Sequence, residues 1–248
     1  MGVQGALKAV VLAFGWIGLV ACGAFVDRTL EVEKQLTELA EQGDISGRLF
    51  VSLKAHRPEL YQEFLGIANE ELNRLQSAQR AGFRAGERMR PKLIVELSRM
   101  ISTASDESVA EMITIAAHTY RMLGDAEPQE CYRNLNGLAP KSIDLYDQTL
   151  LDRELELMIK IFEDGRVSGA RAANQAEINA WIMPIARTQP DLIEGLGLLG
   201  RQRVSDAQAK QACTSMMRLM NNLQRKPVER RAILFRGMLK MAGEQGLG

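Results

Sequence analysis

Apolar residues recur every three or four positions along most of this chain. One regular stripe consists of Val109, Met112, Ile113, Ala116, Tyr120 and Leu123. That spacing gathers the apolar side chains on one face of an α-helix. Ser105 stands before the stripe as an N-cap, and acidic Asp106 and Glu107 follow it in the first turn, where the helix dipole favours negative charge. No run of strand length alternates apolar and polar residues, so the pattern predicts an all-α fold, a compact multi-helix bundle.

Capping residues, prolines and glycines predict where the other helices begin and end. We expect Asp44 to cap a helix reaching Ala55, and Pro58, Ser205 and Pro227 to mark the starts of three more. Further helices are expected over 142–162 and 172–190, with a short element around Cys131 and Tyr132 and a helix start at Pro190. Glycines predict a bend near Gly82 and Gly86 and a helix end at Gly124. Prolines predict a helix boundary at Arg90–Pro91 and a break at Pro184.

The run from Ala9 to Val26 differs from the rest because it contains no charged residue. Its length is just enough to cross the hydrocarbon core of a bilayer as a helix. Lys8 precedes it, and Asp27 and Arg28 follow it. The sequence therefore predicts three segments: a signal anchor or lipoprotein-type signal at 1–27, a juxtamembrane helix at 28–43 and a helical domain at 44–248.

The same run permits three kinds of membrane signal. An uncleaved anchor would keep Lys8 in the cytoplasm and export the body, although Arg28 and Lys34 on the far side weaken the positive-inside bias. Leu19-Val20-Ala21-Cys22 resembles a bacterial lipobox, which makes Cys22 the candidate for lipidation. An ordinary signal cleaved near Ala21 is the third alternative, and a buried helix of a soluble protein is the remaining interpretation of the run. The apolar residues after Cys22 favour the anchor, since a lipoprotein usually has a polar linker at that point.

Composition supports a folded helical body and argues against one class of partner. Hydrophobic residues make up 46% of the chain and charged residues 25%, which are ordinary globular values. The 31 Lys and Arg balance the 31 Asp and Glu, giving a formal net charge of zero. Nucleic-acid binders carry an excess of basic residues because they neutralise phosphates. We therefore expect no nucleic-acid partner.

Two cysteines, Cys131 and Cys213, lie in the predicted helical domain. In an oxidising compartment such a pair is a candidate disulfide. It would close a loop of about eighty residues and, in the loop-entropy model, stabilise the fold by roughly 4 kcal/mol. The alternative is that Cys213 packs in its helical stripe as a small apolar side chain. The chain has no Cys-x-x-Cys spacing, which speaks against a redox-active pair.

Arg80, Arg84 and Arg88 repeat every four residues and form a candidate interaction surface for an anionic partner or lipid headgroups. The alternative is a solvated helix face whose charges are balanced by nearby acids.

A second candidate site is a pocket for a lipid or other apolar ligand. The side chains that would line this pocket are methionines at helical spacing: Met216, Met217, Met220, Met238 and Met241. The alternative, which is the commoner use of methionine, is packing in the core.

No pattern of catalytic, metal-binding or cofactor-binding residues stands out. The two histidines, His56 and His118, form neither a Glu-x-x-His nor a His-x-x-x-His pattern, the one-turn spacings expected of a metal site. Residues 195–200 match the glycine spacing of a dinucleotide-binding turn, but that motif requires a preceding buried strand. Pro190 instead predicts a helix there, so we interpret the glycines as a helical corner and assign no cofactor.

These observations lead to an expected function and location. We expect a non-enzymatic accessory or scaffold protein that binds an unknown protein partner. Its N-terminal helix would span the bacterial inner membrane once and leave the C-terminal domain in the periplasm; the alternative is a lipoprotein anchored through Cys22. The alternative function is a binding module for a lipid or other apolar ligand within the bundle.

Overall fold

A computed structural model describes residues 29–75, 78–136, 147–164 and 170–244. Within these ranges the chain forms eleven α-helices and no β-strand. The predicted all-α fold is therefore confirmed for this part of the chain. The helices are α1 Thr29–Glu41, α2 Ile45–His56, α3 Pro58–Leu75, α4 Ala78–Ile101, α5 Asp106–Ala126, α6 Pro128–Leu135, α7 Gln148–Glu163, α8 Gln175–Thr188, α9 Pro190–Leu196, α10 Asp206–Gln224 and α11 Val228–Glu244.

The predicted anchor at 1–27, with Cys22 and the three alternatives for its processing, lies outside the described residues. Among the helices that are described, none combines the length and apolar character needed to cross a bilayer.

Local hydrogen bonds explain the helix starts that were predicted. The Asp44 carboxylate accepts from the backbone N–H groups of Ser46 and Gly47, and the Ser105 hydroxyl accepts from the Ser108 N–H. Ser205 forms a capping box with Gln208, in which each side chain bonds the other residue's backbone. These bonds satisfy N–H groups that have no acceptor within the helix. The starts at 45, 106 and 206 are thus confirmed.

Three predicted interruptions are wrong, because the helices continue through them. Helix α4 passes position 91, since Met89, Leu93 and Leu97 are buried on either side and hold it against α3. Helix α8 also continues through Pro184. The proline has no N–H to donate to the carbonyl group one turn earlier, and because this position is exposed, water can bond that carbonyl instead. Helix α5 passes Gly124 and ends at Ala126. At position 91, packing outweighs the local preference.

Helix α1, which covers most of the segment 28–43 expected to be a juxtamembrane helix, packs on the body. Val32 and Leu36 of α1 are buried in the common core. Gly47 of α2 lies so close to the backbone of Leu39 and Ala40 that a Cβ atom would not fit. The two helices are antiparallel, as the contact between Lys54 and Glu33 shows. Helix α1 is therefore a structural part of the helical domain.

One continuous apolar core joins the helices. Helix α5 is central, because it packs on α6, α7, α10 and α11. Helices α3 and α4 form an antiparallel pair at one side, and α2 lies between α1 and α7. Because α1 and α7 flank α2, one face of α2 stays open between them, and the candidate site lies on that face.

Candidate functional site

The two body cysteines meet at the contact between α6 and α10. Their sulfur atoms lie at bonding distance, and their Cα atoms are 6.2 Å apart, within the range that a disulfide spans. Cys131 is 0% exposed and Cys213 is 1% exposed. Gly124 of α5 passes beside the pair: a Cβ there would lie 3.5 Å from the Cys213 Cβ. The cysteine pair is therefore buried inside the core, where it links a short helix to a long one.

Helix α6 is held by further polar contacts next to the cysteines. The Tyr132 hydroxyl lies 2.7 Å from the Leu198 carbonyl oxygen and 2.9 Å from that of Arg201. Burial raises the pKa of Tyr132, which keeps the phenol protonated and able to donate. The Asn136 side-chain oxygen accepts from the Gly200 N–H at 2.7 Å. These bonds hold α6 in place next to the cysteine pair, which supports a structural role for the pair.

The predicted arginine surface lies along α4 and is partly neutralised. Arg88 donates to Glu70 at 2.7 Å and to Glu71 at 3.0 Å. Because Glu71 is a buried side chain, Arg88 serves to compensate it. Arg84 is exposed, and Arg80 lies on the same helix, but its side chain is outside the description. The charge of Arg88 is used within the protein, which weakens this surface as a site for an anionic partner.

The methionines proposed to line an apolar pocket are mostly core residues. Met216, Met220 and Met238 are completely buried within the common core, while Met217 and Met241 pack against its edge. Such positions are typical of methionine as a filler of irregular core space.

The remaining motifs also have structural explanations. Gly195 lies in α9 and faces the Gln211 backbone and the Ser215 side chain of α10, where a Cβ would not fit. The turn at 197–200 follows a helix, so the interpretation as a helical corner is confirmed. His56 and His118 are both exposed, and no group of three metal-ligating side chains occurs among the described residues.

A surface trough runs along α2 and consists of two adjoining grooves. The first groove lies between the start of α2 and α7 and includes Ile45, Leu151 and Leu155. The second lies on α2 between α1 and α7, with Ala40 on one wall and Ile159 on the other. Each has a volume of about 500 Å³. Arg48 borders both and forms a two-point ion pair with Glu156 at 2.6 and 3.1 Å.

The floor of the second groove is mainly apolar but includes the hydroxyl of Ser52. Val51 is 45% exposed there, and Ala55 continues the floor by one helical turn. Ser52 is only 6% exposed, and its hydroxyl has no hydrogen-bond partner among the residues that the structure describes. A buried hydroxyl without a partner is unusual, because it loses its bonds to water without replacement.

The walls of the trough are acidic. Charged residues that line it comprise one guanidinium and five carboxylates: Arg48, Glu41, Asp44, Asp152, Glu156 and Glu163. Asp44 caps α2, and Glu156 pairs with Arg48. Glu41 on α1 and Glu163 on α7 form no ion pair within the described part of the chain. An acidic trough therefore exists on a protein whose formal net charge is zero.

Sequence reasoning did not find this trough. Its lining comes from residues 37–55 and 148–163, which are separated by more than ninety positions, and no local motif relates them.

The chain matches no protein-family model, and neither the curated proteins nor the solved structures include a significant match.

Proposed function

We propose that this protein is a membrane-tethered, non-enzymatic scaffold whose helical domain binds another protein on the periplasmic side of a bacterial inner membrane. The observation that carries the binding role is the trough on α2, which combines an exposed apolar floor with acidic walls. Surfaces of this kind are typical of partner recognition.

The cysteine pair supports export of the domain. Disulfides persist in oxidising compartments such as the periplasm and are rare in the bacterial cytosol. Cys131 and Cys213 come from different helices, and the fold nevertheless places their sulfur atoms at bonding distance. A buried pair in this position gains stability from oxidation and is then shielded from thiols in solution.

The short connection to the apolar run supports a tether that holds the domain close to the membrane. Helix α1 begins at Thr29, three positions after the last residue of the run, Val26. With an anchor, the domain would follow the membrane helix almost directly. With a lipid on Cys22, only residues 23–28 would separate the lipidated residue from α1. Both alternatives place the domain near the bilayer surface.

The ligand-binding alternative has less support. It depends on methionines lining a cavity, whereas Met216, Met220 and Met238 are fully buried by protein neighbours. The trough, by contrast, is open to solvent and has acidic walls, a composition that favours a charged macromolecular partner over a lipid.

A topology experiment tests the tether and the compartment. Alkaline phosphatase, which is active only after export, is fused to the C-terminus of the full chain, and a matched fusion carries a fluorescent protein that matures only in the cytoplasm. We expect phosphatase activity in the membrane fraction and no fluorescence. The reverse result would contradict the proposal. Intact mass of the membrane-extracted protein, with and without reductant, would then distinguish an intact N-terminus from acylation at Cys22.

A further inference from the structure

We infer that the trough on α2 receives a basic amphipathic α-helix of the partner protein. This inference deepens the proposed function and rests on it, because it names the chemistry of the partner segment. Its evidence consists of the shape of the trough and of three polar groups that lack partners within the described part of the chain: the Ser52 hydroxyl and the carboxylates of Glu41 and Glu163.

The length and shape of the trough fit a helix. Its lining extends from Ile45 to Ala55 on α2 and from Gln148 to Glu163 on α7. At the rise of an α-helix these spans correspond to about 15 and 22 Å, or three to four turns. In the second groove the floor and both walls are helices, so their side-chain ridges offer grooves into which a further helix can pack. The first groove has α7 on one side and residues 43 and 44, which precede α2, on the other. Recognition of an amphipathic helix in such a groove is a common mode of peptide binding.

The floor indicates which face the partner helix presents. Ala40, Val51 and Ala55 are small or β-branched and leave room for apolar side chains. Between them, the Ser52 hydroxyl is buried, and no described residue hydrogen-bonds to it. A polar side chain on the incoming helix would satisfy it and recover the free energy of a missing hydrogen bond. We therefore expect an apolar face that carries one hydroxyl or amide group near its centre.

The walls indicate the charge of the partner. Glu41 and Glu163 stand on opposite walls of the second groove, and neither has an ion-pair partner among the described residues. Basic residues flanking the apolar face of a bound helix would contact both carboxylates. An anionic membrane surface or a nucleic acid would be repelled by the same walls. The charge pattern therefore selects a basic helix over these two classes of partner.

The inference is tested with two defined peptides and the full chain in nanodiscs of zwitterionic lipid. Both are sixteen-residue helices of about four turns, with the same alanine and leucine face and one central serine. In one peptide lysines flank the apolar face, and in the other glutamates occupy the same positions. Binding is measured by fluorescence anisotropy, with empty nanodiscs as the reference for partition into lipid.

We expect the lysine peptide to bind at least about tenfold more tightly than the glutamate peptide. The double variant Glu41→Gln/Glu163→Gln should reduce that ratio to within about threefold. Ala55→Phe, which fills the floor, should weaken binding of the lysine peptide by about tenfold or more. The matched control is Asp125→Asn/Glu194→Gln, which removes two exposed carboxylates on α5 and α9 and should retain the full ratio.

Three results would overturn the inference. They are no binding of either peptide, equal binding of both, or a control variant that loses the difference in affinity between the two peptides as fully as Glu41→Gln/Glu163→Gln does. These outcomes are separate from failure of the proposed function. Cytoplasmic fluorescence from the C-terminal fusion would contradict the tether while leaving peptide binding to stand. Correct topology without peptide binding would contradict the inference about the trough only.

Discussion

Arg236 of α11 donates a hydrogen bond to the Asp106 carboxylate of α5 at 2.6 Å. The Arg236 side chain is 1% exposed, and its guanidinium also donates to the Ala104 carbonyl oxygen at 2.6 Å. A buried cation requires compensation of this kind, since it has lost its hydration. The pair joins the last helix of the domain to the first turn of the central helix, where the negative charge of Asp106 is also favoured by the helix dipole.

We predict that Arg236→Met lowers the free energy of unfolding by about 3 kcal/mol, because it leaves the Ala104 carbonyl and the Asp106 carboxylate without their donor. Urea unfolding followed by circular dichroism measures the change. The control is Arg218→Met, which removes an exposed ion pair with Asp191 and should cost less than about 1 kcal/mol. Equal losses in both variants would contradict the assigned role of Arg236.

Removal of the cysteine pair should also destabilise the domain. In the loop-entropy model, a disulfide between Cys131 and Cys213 is worth about 4 kcal/mol, since it closes a loop spanning 82 positions. We expect the double variant Cys131→Ala/Cys213→Ala to unfold at correspondingly lower urea concentration. Cys22→Ser is the control for thiol loss elsewhere and should leave the midpoint unchanged. If the wild type and the double variant unfold at the same midpoint, the bond is not formed.

Gly237 allows the chain to cross over α11. The Ala173 N–H donates to the Ile233 carbonyl oxygen at 2.9 Å, and a Cβ on Gly237 would collide with the Ala173 backbone. We predict that Gly237→Ala destabilises the protein by about 1–3 kcal/mol. Gly66→Ala provides a matched control, because its Cβ would meet no atom within 4 Å on the exposed face of α3. There alanine should stabilise the helix, by up to about 1 kcal/mol. A lower unfolding temperature for Gly237→Ala together with a higher one for Gly66→Ala would verify that Ala173 lies against Gly237.

Glu177 should contribute a specific pH dependence to stability. Its side chain accepts from Arg171 at 2.7 Å, from the Asn174 backbone N–H at 3.1 Å and from Arg230 at 3.0 Å. These contacts, with that to Arg171 foremost, lower the pKa of Glu177 from 4.5 to about 2.

A pKa lowered by folding means that the native state favours the ionised carboxylate. The contribution of Glu177 to stability is therefore complete above about pH 4.5 and is lost as the pH falls towards 2. We expect Glu177→Gln to flatten the stability profile over this interval. In Arg171→Gln/Arg230→Gln, nuclear magnetic resonance titration should show the carboxyl pKa moving back towards its ordinary value. An unchanged pKa in that variant would contradict the assigned cause.

Local sequence was sufficient to predict the helical fold and several helix starts. Asp44, Ser105 and Ser205 each cap a helix through a bond to a backbone N–H two or three residues away. Such contacts depend on a few neighbouring residues, so they can be recognised in the linear chain. The apolar stripes of α5 and α10 were recognisable for the same reason, because helical periodicity is a local property.

Local sequence was misleading where tertiary packing opposes it. Pro184 and the proline at position 91 predict breaks, but each lies in a helix whose neighbouring apolar residues are buried or partly buried against other helices. The cost of a proline within a helix is about 3 kcal/mol, which burial of two or three large side chains offsets. Arg88 was predicted as part of a surface for partners, and its pairing with Glu70 and Glu71 became evident only when α3 and α4 were placed side by side.

The sequence by itself determined that this chain forms helices, where several of them begin, and that an uncharged apolar run precedes them. The tertiary structure alone decided which residues meet across long distances: Cys131 with Cys213, Arg236 with Asp106, and α1 and α7 on either side of α2. The physical reason is that helix formation depends on neighbours within a turn or two, whereas a buried ion pair or a binding trough depends on how whole helices pack.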